Sequence, residues 1–381
     1  MKQFETGRFT GVFERTDGAI EASTVSPAVT VHDFVYDDPH LSDRLTFEDI
    51  NSQVEELSSM GYFGDKSINL ERKRKGSIDR ENPAPKELMR RLPSFSDWLD
   101  MVPTAGALDA LYHPDQVEFA NGRPVDSELA KWLRNISDGR GIRSRGAIVT
   151  SLLENEADRY DRPMALLSLA SGAAQPVIAA SASIRERSLR RMPELTLVDR
   201  DQSALSLAQK YAKDANVDNS LETKNINILR PQGIDYSKGR VNGVDVAKNA
   251  LRRKIGSERL LRESFDVVEA VGIVEYLQAE DWKYTYNGVI STKKPMAGAR
   301  SFMKNSFDLV KPGGLMIIGN MLDTHPQLGF TLNTIQWPHI QPRSVEQMAK
   351  LIAEAGIEGE IDVHIPQDGV YGIYTVRKAE G

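Results

Sequence analysis

A chain of 381 residues, 40% of them hydrophobic, is long enough for one large domain with a smaller companion, or for two domains. It has no cysteine, which excludes disulfides and thiolate metal sites, and none of its apolar runs reaches the ~18 residues that span a bilayer, so neither a metal centre nor membrane insertion is expected. A net charge of −6 argues against general nucleic-acid binding, and the stretch MKQFETGRFTGVFERTDG has no apolar signal core, so a cytoplasmic protein is expected.

Residues 1–45 mix short β-prone runs, FTGVFER and PAVTVHDFVY, with turn residues, which suits a small sheet or hairpin. TFEDINSQVEELSSMGY (46–62) reads as a helix with Thr46 at its N-cap and Glu48 in its first turn. Residues 64–95 are charged and carry prolines, as a connector does. SFSDWLDMV and SELAKWLRNI read as further helices, and residues 140–160 place Ile148, Leu152 and Leu153 at helical spacing.

From Pro163 the texture changes. Five apolar runs, MALLSLA (164–170), ELTLVD (194–199), TKNINIL (223–229), FDVVEAVG (265–272) and GLMIIGNM (314–321), alternate with helical stretches. That pattern implies βαβ units and a mostly parallel sheet with helices on both faces. SVEQMAKLIAEAGI reads as a helix ending at Gly356. VHIPQDGVYGIYTVRK then gives two strands around a Pro-Gln-Asp-Gly turn, an antiparallel end to the sheet. The fold class is α/β, with an accessory or lid region over residues 1–140, mixed but mainly helical, and a sheet domain over 141–381.

Ligands of open α/β sheets sit outside the carboxyl ends of the strands, near the point where strand order reverses. Ser171-Gly172-Ala173-Ala174 follows the first run; it serves equally as a cofactor turn or as a packed corner, since the G-x-G-x-x-G fingerprint is absent. Asp199 closes the second run, where a carboxylate can accept from a ribose diol, and Asp201 is placed to cap the next helix. The end of the third strand, Asn227 to Gln232, could bring a polar side chain to an adenine edge. FDVVEAVGIVEYL offers Gly272 for a tight turn, followed by Glu275 and Tyr276, and GNMLDTHPQ puts Asn320, Asp323 and His325 where a substrate would sit.

Together these runs resemble the class I S-adenosylmethionine-dependent methyltransferases. LLSLASG, LTLVDRDQSAL, FDVVEAVGIVEYL and FDLVKPGGLMIIGNM match their first, second, fourth and fifth strand motifs, with Lys-Pro-Gly-Gly resembling the family's turn at the fifth, and the likeness covers residues 145–380. GIVEYL is also similar to a segment of bacterial methyltransferases that esterify hydroxy fatty acids, whose substrate is not carried across. The resemblance implies a Rossmann-like, doubly wound sheet of seven strands in the order 3-2-1-4-5-7-6, with strand seven antiparallel. It also implies S-adenosylmethionine as cofactor and a small-molecule methyl acceptor, O- or N-methylated, with no nucleic-acid partner; a homodimer stays open. Ala170, Ser171, Gly172 and Ala173 would face the methionine part, Asp199 the ribose, Arg200 or Asp201 and Asn227 or Ile228 the adenine, and Ala270, Val271 and Gly272 the sulfonium. The family's first loop carries an acid and three glycines. Here Ser168 stands at the acid position, Ala170 and Ala174 at two glycine positions, and only Gly172 matches.

An acceptor that holds its proton needs a general base, for which His325, Glu275 and His339 are candidates. A carboxylate acceptor would need none and would favour Arg143, Arg145 or Arg343 as a clamp. Tyr276, Trp282, Tyr286, Asn320 and Arg343 are candidates for lining the acceptor pocket. Two other readings remain: aminopropyl-type transfer from a related sulfonium nucleoside, and a non-catalytic cofactor-binding module.

Overall fold

The computed structural model describes residues 28–61, 79–229, 260–281, 296–337 and 340–380, and elsewhere only the backbone of a few short strands. Among the described residues the main sheet has nine strands: β1 (Glu5–Phe9), β2 (Val29–Phe34), β3 (Ala165–Leu169), β4 (Glu194–Asp199), β5 (Leu221–Asn225), β6 (Phe265–Ala270), β7 (Val310–Met321), β8 (Ile361–Pro366) and β9 (Tyr371–Arg377). Their spatial order is β5-β4-β3-β6-β7-β9-β8-β2-β1. Counted from β3, the seven strands from β5 to β8 follow 3-2-1-4-5-7-6, and β9 runs antiparallel to both neighbours. The sheet therefore has the expected Rossmann-like order, extended at one edge. PAVTVHDFVY supplies β2, which pairs antiparallel with β1 and joins the main sheet parallel to β8; β1 lies at Glu5–Phe9, and FTGVFER beyond Phe9 falls outside the described residues.

Among the described residues the α-helices of five or more residues are α1 (Arg44–Met60), α2 (Pro83–Arg91), α3 (Phe95–Leu99), α4 (Ala105–Tyr112), α5 (Ser127–Asn135), α6 (Ser137–Ala157), α7 (Gln175–Arg187), α8 (Gln202–Asp214), α9 (Ala299–Leu309) and α10 (Val345–Glu354). The apolar strands read as continuous runs because both faces of the sheet are buried. Alternate residues enter two separate cores. Leu166, Leu195, Val267, Ile317 and Ile373 pack with α4, α6, α7 and α8, whereas Leu167, Val198, Val268, Ile318 and Tyr374 pack with α9 and α10. The first core also takes in Ile50, Val54 and Leu57 of α1 and Trp98 of α3.

Three local readings are corrected. Asp43, not Thr46, caps α1: its carboxylate accepts from the backbone N–H groups of Leu45 and Thr46 at 3.0 and 3.1 Å and from the Thr46 hydroxyl. The third strand ends at Asn225, two residues before Asn227. Lys311-Pro312-Gly313-Gly314 is not a turn before the fifth strand but an irregularity inside β7, between the pairings of Val310 and Leu315. Where the pattern was firmest it holds. Ser344 and Gln347 form a capping box on α10, and Gly356 follows that helix with φ +70°.

At the amino end of the parallel strands, Asp266 ties three of them together. Both its oxygens accept from Arg162, at 2.6 and 2.8 Å, and it also binds the Ala165 N–H and the Lys311 ammonium. Burial alone would raise its carboxyl, but these partners hold it down at about 2.

Candidate functional site

The turn after β3 alternates left-handed residues. Ala170, Gly172 and Ala174 have φ values of +51°, +54° and +53°. Only glycine takes this conformation without strain, so the three positions at which the family pattern has glycine keep a glycine geometry although two are alanines. The turn is stitched to the end of β4. The Ser171 N–H donates to the Val198 carbonyl at 3.1 Å, and the Gly172 N–H donates to Asp199 Oδ2 at 2.9 Å. Asp199 Oδ1 accepts from the Asp201 N–H at 2.8 Å, and Asp201 caps α8 through the Ser203 N–H. A carboxylate has about four acceptor positions, so half-buried Asp199 keeps roughly two for another partner. Arg200 beside it is exposed. Asn227 is used locally, its side-chain oxygen accepting from the Leu229 N–H.

Between this turn and the end of β6 lies a cavity of about 60 Å³, at the point where strand order reverses. Ala170, Ser171, Gly172, Ala173, Val271 and Gly272 line it; Ala270, fully buried, packs in the core beneath. Its charged wall is Glu269 and Arg145. Glu269 is buried in an otherwise apolar strand and accepts from the Ser168 hydroxyl at 2.5 Å and the Val271 N–H at 2.6 Å. Burial pushes its carboxyl up to about 7, against those bonds and the pull of Arg145. Arg145, 4% exposed, comes from α6; its guanidinium lies over the Tyr371 ring, 4.6 Å from the centroid, and 3.6 Å from Glu275 Oε1. Its Nε has no hydrogen-bond partner, and neither do Ser171 Oγ and Glu275 Oε2.

The roof is α4. Ala105, Leu108 and Tyr112 line the cavity, and the Ala105 methyl sits 3.8 Å from where a Gly172 side chain would begin. Asp109 pins this helix down by accepting from Gln175 and from the Tyr211 hydroxyl, at 2.8 and 2.5 Å. A side chain at Gly146 would meet the Tyr112 ring at 2.8 Å, so that glycine lets α4 and α6 close together beside Arg145.

The other predicted residues fall into distinct surroundings. Arg143 is committed to Asp38 and to the carbonyls of Leu111, Leu133 and Arg134. Arg343 is equally committed, binding the Val274 and Leu277 carbonyls and Asn320 Oδ1. Arg343 and Asn320, expected to meet substrate, thus brace the segment that follows β6, because its carbonyls would otherwise be buried unpaired. His325 is buried away from the cavity lining, with Nδ1 accepting from the Gln327 N–H and Nε2 3.8 Å from Asp138. Glu275, 2% exposed, stands one guanidinium away from the cavity, and burial pushes its carboxyl up to about 7. Tyr276 accepts from the Trp337 indole. Trp282, His339 and the side chain of Tyr286 lie outside the described residues. Glu269 and the α4 roof were missed from sequence; an acid within FDVVEAVG was the available signal for the first, and none marked the second.

No protein-family model and no curated protein matches the chain. Solved structures do. A Bordetella parapertussis protein described as a possible exported protein is 14% identical with a TM-score of 0.52, covering 90% of this chain and 99% of its own. An O-methyltransferase family protein from Burkholderia thailandensis is 14% identical with a TM-score of 0.40, over 80% and 74%. A methyltransferase from Geobacter sulfurreducens, solved with S-adenosylhomocysteine, is 14% identical with a TM-score of 0.33, over 58% and 68%. Among the described residues no helix is long and apolar enough to cross a membrane. In its sheet order the chain has the Rossmann-like fold that the class I methyltransferase resemblance implied.

Proposed function

We propose that the protein is an S-adenosylmethionine-dependent methyltransferase acting on a small-molecule acceptor by O- or N-methylation. The observation that carries this reading is the junction of Asp199 with the Gly172 turn, beside a charged cavity at the switch point of the sheet. Unpartnered Ser171 Oγ and Arg145 Nε, buried at that cavity, fit a polar ligand rather than a packed corner. Asp199 would hold the ribose hydroxyls, the backbone of residues 170–173 the methionine part, and residues 270–272 the sulfonium side.

The cofactor supplies an activated methyl group on a good leaving group, so the protein is asked mainly for alignment and exclusion of water. The α4 roof covers one side of the cavity and would help to keep water from it. Of the candidate bases, Glu275 has the better position: it lies next to Arg145, has a free oxygen, and titrates near neutrality, where a general base works best. His325 is held by its own loop. Tyr276, Trp282 and Tyr286 belong in this reading to the acceptor side, and residues 1–140 to its covering.

Calorimetric titration with S-adenosylhomocysteine tests the reading, with one site per chain as the expected result; silence at millimolar ligand would reject it. Asp199→Ala is expected to weaken binding by about 1.5–3 kcal/mol, the scale of hydrogen bonds to a charged group. An unchanged affinity in the folded variant would remove the ribose role.

A further inference from the structure

We propose that Asp109 is a positioning residue for the turn after β3: reaching in from the covering helix α4, it fixes Gln175 and so keeps that turn in its left-handed form. The proposal rests on the cofactor reading above and adds a residue that acts on the site without lining it. Ala170 and Ala174 stand at φ +51° and +53°, and a non-glycine residue stays there only where its surroundings over-determine it. In its middle the turn is held by Asp199, through the Gly172 N–H. At its far end no capping side chain holds it. Ala174 is the N-cap of α7 and has no side-chain oxygen to cap with, and Pro176 has no N–H. Gln175, between them, supplies a fastening, because its Nε2 donates to Asp109 Oδ1 at 2.8 Å.

Asp109 is itself fixed. It is 3% exposed, and the same Oδ1 accepts from the Tyr211 hydroxyl of α8 at 2.5 Å. Burial, and then the bond to Asp109, raise the Tyr211 phenol, so it remains a donor. The His113 ring, just past α4, lies 5.7 Å from the Tyr211 ring. Ala107, Ala110 and Leu111 root α4 in the core, and the Ala107 carbonyl accepts from the Trp98 indole at 3.0 Å. The restraint thus runs from the core of the covering layer, through Asp109, to the residue beside strained Ala174. Gln175 is part of the cavity lining and Asp109 is not. Thr150 also reaches this end of α7, but it donates to the Pro176 carbonyl, at 3.2 Å and one residue further from Ala174.

The test combines calorimetry of S-adenosylhomocysteine on the full chain with amide hydrogen exchange of the ligand-free protein. Asp109→Ala should weaken the ligand by at least about tenfold, yet by less than about threefold when Ala174→Gly is also present, because glycine needs no restraint to stay left-handed. Asp109→Asn keeps an acceptor oxygen and should recover most of the loss. Tyr211→Phe removes one of the two donors and should give a smaller loss that Ala174→Gly also removes; it carries the test if Asp109→Ala does not fold. Without ligand, Asp109→Ala should speed exchange of the Gly172 and Ala174 amides by at least about tenfold and leave those of Leu167 and Val268 within about threefold. A loss of affinity of the same size with and without Ala174→Gly would overturn the proposal, as would turn amides that exchange at the wild-type rate in Asp109→Ala. If the wild type binds no S-adenosylhomocysteine, the cofactor reading fails, and the exchange rates alone decide the positioning role.

Discussion

Ala170 and Ala174 hold φ values of +51° and +53°, where a non-glycine residue costs about 1–3 kcal/mol. Glycine at either position would relieve that strain but enlarge the freedom of the unfolded chain, which returns ~0.4–1 kcal/mol. Ala174→Gly is therefore expected to stabilise the ligand-free protein by about 1 kcal/mol in urea unfolding; a loss of that size would show that the alanines are not strained. Glu269 makes a second prediction at this scale. Its carboxyl is raised to about 7 from a reference of 4.5, so its contribution to stability is full below pH 4.5 and is lost as pH rises through about 7. Ser168 and the Val271 N–H bind it, and Arg145 favours its charge, but burial outweighs them. Glu269→Gln should flatten the fall in wild-type stability between pH 5 and pH 8. Parallel profiles for the two proteins would mean that Glu269 is ionised throughout.

Among the elements, β3, β6 and the start of β7 are fastened together by Asp266 through Arg162, the Ala165 N–H and Lys311. Arg162 is about half exposed, so its charge is partly screened, and Asp266→Asn should cost about 1–3 kcal/mol rather than the full value of a buried pair. Asp266 is depressed to about 2, so its contribution is present above pH 3.8 and lost as pH falls through about 2; the wild type should lose its advantage over Asp266→Asn across that interval. The strands were legible from sequence because strands covered on both faces must be apolar throughout. The caps were less legible: the sequence pointed to Thr46, where Asp43 caps α1, and the box that Ser344 makes with Gln347 was not read although its residues stand at the right spacing. Lys-Pro-Gly-Gly has the composition of a turn, and nothing in those four residues shows that the strand resumes in the same direction.

At the scale of the whole molecule, what sequence left open depends on contacts between distant segments. Arg143, Arg145 and Arg343 read alike as possible clamps; Asp38, 105 residues from Arg143, and Asn320, 23 residues from Arg343, settle two of them. The pairing of β2 with β8 joins segments more than 300 residues apart, and a run such as VTVHDF carries no mark of its neighbour. The same distance hid the roof, since AGALDALY gives no sign that it will close on Gly172. The turn after β3 was the most ambiguous short stretch of the sequence, and its meaning came from Asp199, Glu269 and Arg145, three residues on three other elements. The most direct test of the account is a crystal structure of the protein with S-adenosylhomocysteine. The account predicts ribose hydroxyls within hydrogen-bond distance of Asp199 and the homocysteine end in the cavity beside the Gly172 turn. Ligand bound elsewhere, or bound there without touching Asp199, would contradict it.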